Sequence, residues 1–537
     1  MKSKLSIVIL SLFCLFACDL DRNPLDKLAD SNIWDSEETA KVALVGLYNV
    51  DNSNPPTPTD WWSTSGLVFL EFATDNAYDR RGVNTDYHRL TDGTLLATNS
   101  YVKSYWKASY KRISLCNDFL SGIDNLQAGM DVVERFKAEA RFIRATQYFY
   151  LSQFFYDVPL VTTPLTLEEA NKVVKTPKEQ IISFVIQELK EAAEVLPRYK
   201  DLKSAEIGRA SKQAALAFLG RAYLSEKQFK EAAVVYKEII DYGDNIIDKD
   251  YESLFIPANQ NSSENIFSIQ YLVDKEKNDL VQRCYPAKDG GWCIMNPLGS
   301  LFEAYQFTDG TDFSFESSLY DSEDLAKNRD PRLKATMLYN GSMFRNSAYI
   351  SHPDSSDSPD KIEGGQTTQT GFLLRKYLDE SYSGDLRNYG GNTPIIRYAE
   401  ILLSYLEAKL EGGEAITRQL LDETINKVRG RESVRMPAVT ETNPDKLRDI
   451  LRNERRVELA LEGIRLWDLM RWRIAHEVLN GDVYGAPFPG SKRNKPAPNG
   501  EVDKYGRWYI TQRAFREETD YRWPIPQSEQ DINPNLR

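Results

Sequence analysis

Histidine is almost missing from this chain: His88, His352 and His476 are the whole supply in 537 residues. None stands at metal-site spacing, and His476-Glu477 has no second histidine four positions on from the first, which excludes the helical zinc motif. The chain also lacks a Gly-x-Ser-x-Gly elbow, a Gly-x-x-x-x-Gly-Lys phosphate loop and a dinucleotide fingerprint after a strand. Catalysis by a recognisable motif is therefore without support, and no cofactor is expected. Cysteine is scarce too, with five in all, which rules out a disulfide scaffold. No block of Lys and Arg stands free of nearby carboxylates, and the net charge is −12, so nucleic acid is an unsuitable partner. Past residue 16 no apolar run approaches the length of a membrane span.

What is present begins at once. Lys2 and Lys4 precede an apolar run over residues 5–16, closed by Leu15-Phe16-Ala17-Cys18. That run is about half of what a spanning helix requires, so residues 1–17 read as a cleavable lipoprotein signal and Cys18 as the acylated (palmitate-bearing) first residue of the mature chain. An ordinary signal peptide is the other reading. Asp19 and Asp21 make residues 18–35 an acidic tether, and loss of Lys2 and Lys4 takes the net charge to −14. Of the remaining cysteines, Cys284 and Cys293 bracket a turn-rich stretch and are either a local disulfide or two unpaired thiols.

Apolar periodicity predicts helices over 36–50, 100–122, 131–155, 178–195, 209–225 and 227–242, and again over 392–411, 416–432 and 445–475. Between the two groups the chain is rich in Gly, Ser, Asp and Asn, with short alternating runs such as Asn265 to Tyr271. The expected organisation is thus an N-terminal helical region 36–244, an irregular inserted lobe 245–390 and a helical region 391–537. Residues 351–359 offer little to bury and are expected to be mobile. In residues 209–242, Leu216, Leu219, Gly220, Tyr223, Ala232 and Tyr236 fall at tetratricopeptide spacing. Such a pair cannot bury its outer face alone, so further helix pairs are expected; a generic bundle is the alternative.

Aromatics are plentiful: 29 Tyr, 23 Phe and 9 Trp, several in segments too rich in Pro, Gly and Asp for core helices. Tyr and Trp faces stack on sugar rings while Asp, Asn and Arg satisfy hydroxyls. Two segments combine these types: Trp61 and Trp62 with Asp75, Tyr78, Arg80 and Arg81, and Tyr285 and Trp292 with Tyr305. Local packing is the competing explanation for each ring. Acidic loops at Asp309-Gly-Thr-Asp312 and 354–360 are places for a structural cation, with a turn the better reading of the first.

Five blocks carry a family resemblance: Asp21-Arg-Asn-Pro-Leu-Asp26, Ala138-Glu-Ala-Arg-Phe-Ile-Arg-Ala145, Tyr156-Asp-Val-Pro-Leu160, the stretch from Arg452 to Trp472, and Trp523-Pro-Ile-Pro-Gln-Ser-Glu529 with Asn533-Pro-Asn-Leu536. In this order they resemble the SusD/RagB family of surface lipoproteins. The resemblance implies a mainly α fold of tetratricopeptide-like helix pairs forming a right-handed scaffold with an inserted loop-rich lobe containing short strands. It further implies a non-enzymatic outer-membrane lipoprotein that captures oligosaccharide and passes it to a SusC-like TonB-dependent barrel. Glycan-contacting residues are implied near 75–81, at Asn99 and in the inserted lobe. A peptide-binding, RagB-like member and, less well supported, a surface glycoside hydrolase are the alternatives. Read from its own residues, 452–472 is a structural helix, with an apolar stripe from Val457 to Trp472 and Arg455, Glu458, Glu462, Arg465 and Asp468 at ion-pairing spacings.

Overall fold

The structure, a computed structural model, describes residues 33–49 and 60–537. Cys18 and the acidic tether, and the proline-rich stretch before Asp60, lie outside the described residues. Helices α1 (Glu37–Tyr48), α2 (Ser100–Gly122), α3 (Met130–Phe154), α4 (Lys178–Val195), α5 (Lys212–Ser225) and α6 (Phe229–Tyr242) form the N-terminal group. Their starts follow capping chemistry: Ser36, Asn99 and Ser211 each accept a first-turn backbone N–H. From α2 onward each helix packs on the next, and α6 packs on α7 (Tyr398–Glu411), which carries the stack to α8 (Pro444–Glu458). This is the repeated helix-pair scaffold, and α5 meets α6 closely at Gly220. A Cβ on Gly220 would stand 2.4 Å from the Tyr236 ring, so only glycine lets the two helices approach that closely.

The inserted lobe contributes two-stranded pairings only, among the described residues. Strand β1 (Ala77–Asp79) pairs antiparallel with β3 (Met295–Pro297), and β2 (Asn265–Ile269) pairs with β4 (Thr393–Arg397). Strand β5 (Gly481–Pro487) and β6 (Arg507–Arg513) form a late hairpin. The lobe is therefore stitched to both helical groups. Residues 351–359 are pinned as well: Ser351 is buried with its hydroxyl donating to Gly371 O at 2.7 Å, and the Ser358 hydroxyl donates to Ile350 O at 2.6 Å.

Three helix expectations are corrected. Residues 393–397 extend as β4, because Thr393 to Arg397 are all buried and find ladder partners on β2. The 416–432 segment breaks at Thr424, which has φ −121° and ψ −100°. The 445–475 segment is two helices, α8 and α9 (Arg465–Arg471), separated where Leu461 and Gly463 take φ of 62° and 77°. Gly463 is obligatory there: a Cβ would stand 2.3 Å from Leu67 O, while its N–H donates to Glu71 Oε1 at 2.8 Å.

Charged side chains of α8 and the turn after it anchor a buried ionic cluster. Glu458 accepts from Arg332, Arg397 and Arg431 at 2.9, 3.0 and 2.6 Å. The cluster continues through Asp330, Glu454 and Arg429 on one side and Glu264, Glu462 and Lys376 on the other. Five cations thus meet five carboxylates, and every member is buried. Neutrality and hydrogen bonding are what make such burial tolerable.

Candidate ligand-binding surface

The β1–β3 pairing brings together the two segments the sequence singles out. Tyr78 faces Asn296, Asp79 faces Met295, and beyond the strand Arg80 N–H donates to Ile294 O at 3.0 Å. Trp292 follows two residues further along, so the 75–81 and 285–292 segments share one edge. The turn leading to Trp292 is closed by backbone bonds: Gly291 N–H to Pro286 O at 3.1 Å, Trp292 N–H to Gln282 O at 2.9 Å and Ile294 N–H to Arg283 O at 2.8 Å. Gly291 has no room for a side chain, since a Cβ would lie 2.1 Å from Tyr285 O.

On this edge Trp292 is half-buried, packed against the core on one side with the Arg387 guanidinium 5.5 Å from its ring centre. Arg81 is exposed and forks onto Asp79, with Nη2 2.6 Å from the carboxylate and 3.5 Å from the Tyr101 hydroxyl. Burial disfavours that guanidinium, but Asp79 holds it firmly cationic. Arg80 is half-buried and reaches Gly365 O at 3.3 Å. Tyr101, half-buried, stacks on Tyr87 at 3.7 Å. The edge therefore presents two guanidinium groups and two partly open aromatic rings.

Other candidates sit elsewhere, and several readings are corrected. Trp61 is fully buried, stacked on Tyr105 at 4.1 Å and Tyr150 at 4.7 Å, with Nε1 donating to Ser109 at 2.9 Å; it is a core ring and not a platform. Tyr285 is fully buried with its hydroxyl on Asp379 O, and Tyr305 is fully buried with its hydroxyl 3.0 Å from Thr336. Tyr78 is buried against His88, and burial raises its phenol to about 12. Asn99 is the cap of α2, accepting from Tyr101 and Val102 N–H at 3.0 and 3.1 Å. Asp75 is buried under Arg465, which grips both its oxygens at 2.9 Å. Trp62 is also buried, but it lines a separate cleft of about 580 Å³ with Tyr48, Phe267 and Tyr271.

Cys284 and Cys293 are free buried thiols, not a disulfide. They face different partners: Cys293 Sγ donates to Tyr285 O at 3.4 Å, while the Cys284 thiol lies against the Met295 backbone. The acidic loops spend their carboxylates on backbone N–H groups. Asp309 accepts from Thr311 at 2.9 Å, closing a turn, Asp354 from Lys492 at 2.9 Å and Asp360 from Lys288 at 3.1 Å. Among the described residues no three His, Cys, Asp or Glu side chains gather as a metal site needs. Tyr101 was not anticipated from sequence, although its place two residues after the Asn99 cap fixes it beside Arg81.

Residues 252–537, more than half of the chain, match the SusD family, and residues 20–224 match a family described as starch-binding and associating with the outer membrane. The chain belongs to the SusD family. Among solved SusD-like structures, a carbohydrate-binding protein from Bacteroides fragilis NCTC 9343 is 48% identical, with a TM-score of 0.90 over 94% of this chain and 100% of that one. A laminarin-binding SusD-like protein shares the fold at 22% identity and a TM-score of 0.68, covering 93% of this chain and 98% of its own. SusD-like protein P2 of Formosa agariphila is 24% identical across 100% of this chain and 98% of its own length.

Proposed function

We propose that this SusD-family protein is a non-enzymatic binding lipoprotein. Acylated at Cys18 and exposed at the outer-membrane surface, it captures oligosaccharide at the β1–β3 edge and hands it to a TonB-dependent barrel. The observation that supports the reading is the strand pairing that brings the segments of Arg80 and Arg81 alongside that of half-buried Trp292, so that hydroxyl-binding groups and an aromatic ring lie on neighbouring stretches of chain. The carbohydrate-binding description of the 48% identical relative and the starch-binding description of the family matched by residues 20–224 support it.

The test is an array of purified glycans and peptides probed with residues 19–537, followed by calorimetry on the best binder. Stacking on an aromatic face is worth about 1–3 kcal/mol in the analogous base-stacking case, so Trp292→Ala should weaken a glycan roughly 5- to 150-fold. Binding of peptides and of no glycan would transfer the protein to the peptide-binding alternative. Shortened products from the bound glycan would overturn the non-enzymatic reading.

A further inference from the structure

A pocket of about 280 Å³ opens behind the start of β1, at the foot of the β5–β6 hairpin. Asp75, Ser300, Glu303, Arg456, Arg507 and Arg513 line it, and exposed Gly481 and Asp482 stand at its mouth. The floor is unevenly charged. Asp75 is shared between Arg465, bound through both oxygens at 2.9 Å, and Arg456 at 2.9 Å. Arg513 is 4% exposed and, among the described residues, has no ion-pair partner: it donates to Thr74 O and, at 3.1 Å, to Phe72 O, and its Nε is unbonded. Two buried guanidinium groups, of Arg465 and Arg513, and the partly buried one of Arg456 therefore surround one carboxylate.

Two further acids lie near. Glu71 is engaged with Gly463 N–H at 2.8 Å and Asn76 at 2.9 Å, and burial lifts its carboxyl to about 7, so it supplies only part of a negative charge at neutral pH. Asp92 acts on Arg513 from beyond ion-pair distance. Burial pulls Arg456 and Arg513 down to about 10, which leaves both protonated at neutral pH. The mouth has the opposite bias, because Arg507 is divided between Glu303 at 3.1 Å and Asp503 at 2.8 Å while Asp482 is exposed. An uncompensated buried cation is costly, and a carboxylate with charge-assisted hydrogen bonds offsets that cost. The volume falls below the roughly 300–1,000 Å³ of drug-sized ligand sites, which fits one ring and not an extended chain.

We propose that this pocket binds a single sugar residue bearing a carboxylate, a uronic acid, with the acid group toward Arg456 and Arg513 and hydroxyls toward Glu303 and Asp482. The inference rests on the glycan-binding reading above. It adds a second contact near that surface: Asp75 precedes Arg80 by five residues, at most about 17 Å of extended chain.

The probes are sodium glucuronate and galacturonate, against glucose, galactose and sodium phosphate at matched ionic strength. For wild-type protein the uronates should raise the melting temperature, and neutral sugars and phosphate should not. Arg456→Gln should weaken glucuronate roughly tenfold or more, as loss of a charged hydrogen bond does. Because Arg456 also holds Asp75, a glucuronate-soaked wild-type crystal supplies a reading that needs no variant. Density with the carboxylate against Arg456 and Arg513 supports the proposal; an empty pocket, or phosphate stabilising as much as uronate, overturns it. If uronates fail while a neutral glycan binds in a Trp292-dependent manner, the pocket inference falls alone; if no glycan binds, the reading beneath it falls as well.

Discussion

Replacing Glu458 with Gln tests whether the buried ionic cluster is held together by charge or merely by shape. The carboxylate is fully buried and accepts from three arginines at 2.6 to 3.0 Å, so Gln keeps the volume but turns an NH₂ group toward guanidinium donors. Removing one partner of a buried pair typically costs about 3–5 kcal/mol. Here each arginine retains another carboxylate: Arg332 has Asp330 and Glu454, Arg397 has Glu264 and Glu462, and Arg431 has Glu264. The loss should therefore sit at the low end, about 3 kcal/mol, measured as the difference in urea unfolding at pH 7. It should also depend on pH. Burial by itself would raise Glu458, but Arg431, Arg397 and Arg332 hold it well below the ordinary carboxylate range. A folded value below the unfolded one of about 4.3 gives stability that is present above that pH and is lost as pH falls toward the folded value. The gap between wild type and Glu458→Gln should thus be full at neutral pH and narrow in acid. The partly exposed Arg448–Glu411 pair is the control: Arg448→Ala should cost under about 1 kcal/mol. A Glu458→Gln loss as small as that, or one that does not change with pH, would refute the reasoning.

Trp61→Ala should cost about 3–5 kcal/mol in unfolding experiments yet leave glycan affinity unchanged, since the ring is buried in an aromatic stack; lost affinity without lost stability would return it to the ligand surface. Glu71 has the reverse titration of Glu458: burial lifts its carboxyl to about 7, so its stabilising neutral form is complete below the unfolded value and is lost as pH rises through 7. Glu71→Gln should accordingly flatten the stability profile between about pH 4 and 7 and stabilise the protein above 7, by at most about 3 kcal/mol; an unaltered profile contradicts this. Cys116, Cys284 and Cys293 should be silent to a thiol reagent in native residues 19–537 and all react in denaturant, because burial pushes the thiols up. Fewer than three reactive thiols after unfolding would restore the disulfide.

The helical frame was legible because its signals are local. Ser36, Asn99 and Ser211 stand where helices begin, and the apolar positions of 209–242 repeat at helical spacing. Of the strands, β2 was signalled by the alternating run from Asn265 to Tyr271, but β1, β3 and β4 were not, since they are buried on both faces and show no alternation. Ile395 and Ile396 accordingly read as the start of α7. Gly463 did signal a break after α8, but the charged pattern running through Glu462 to Arg465 masked it. Trp61, Tyr285 and Tyr305 were assigned outward because their neighbours in sequence are turn formers; what covers them comes from segments far away, as with Trp61 and Tyr150. Composition singled out the segments of Arg81 and Trp292 but not that they lie side by side, which the β1–β3 pairing supplies, and the uneven charge around Asp75 required Arg456, Arg465 and Arg513 to be seen together.

The β1–β3 pairing has a consequence for how the molecule is made. Ala77 faces Pro297 across more than two hundred positions of sequence, and Asn265 faces Arg397 across more than a hundred. Closing such loops is entropically slow relative to forming helices, whose contacts are local. During synthesis and export the helices of the first half can form early, but the edge carrying Arg81 and Trp292 cannot exist until the inserted lobe has arrived and docked. Immature or truncated chains would therefore carry much of the scaffold and none of the proposed binding surface, so if that proposal holds, ligand binding reports on completion of folding, which recovery of helical signal does not.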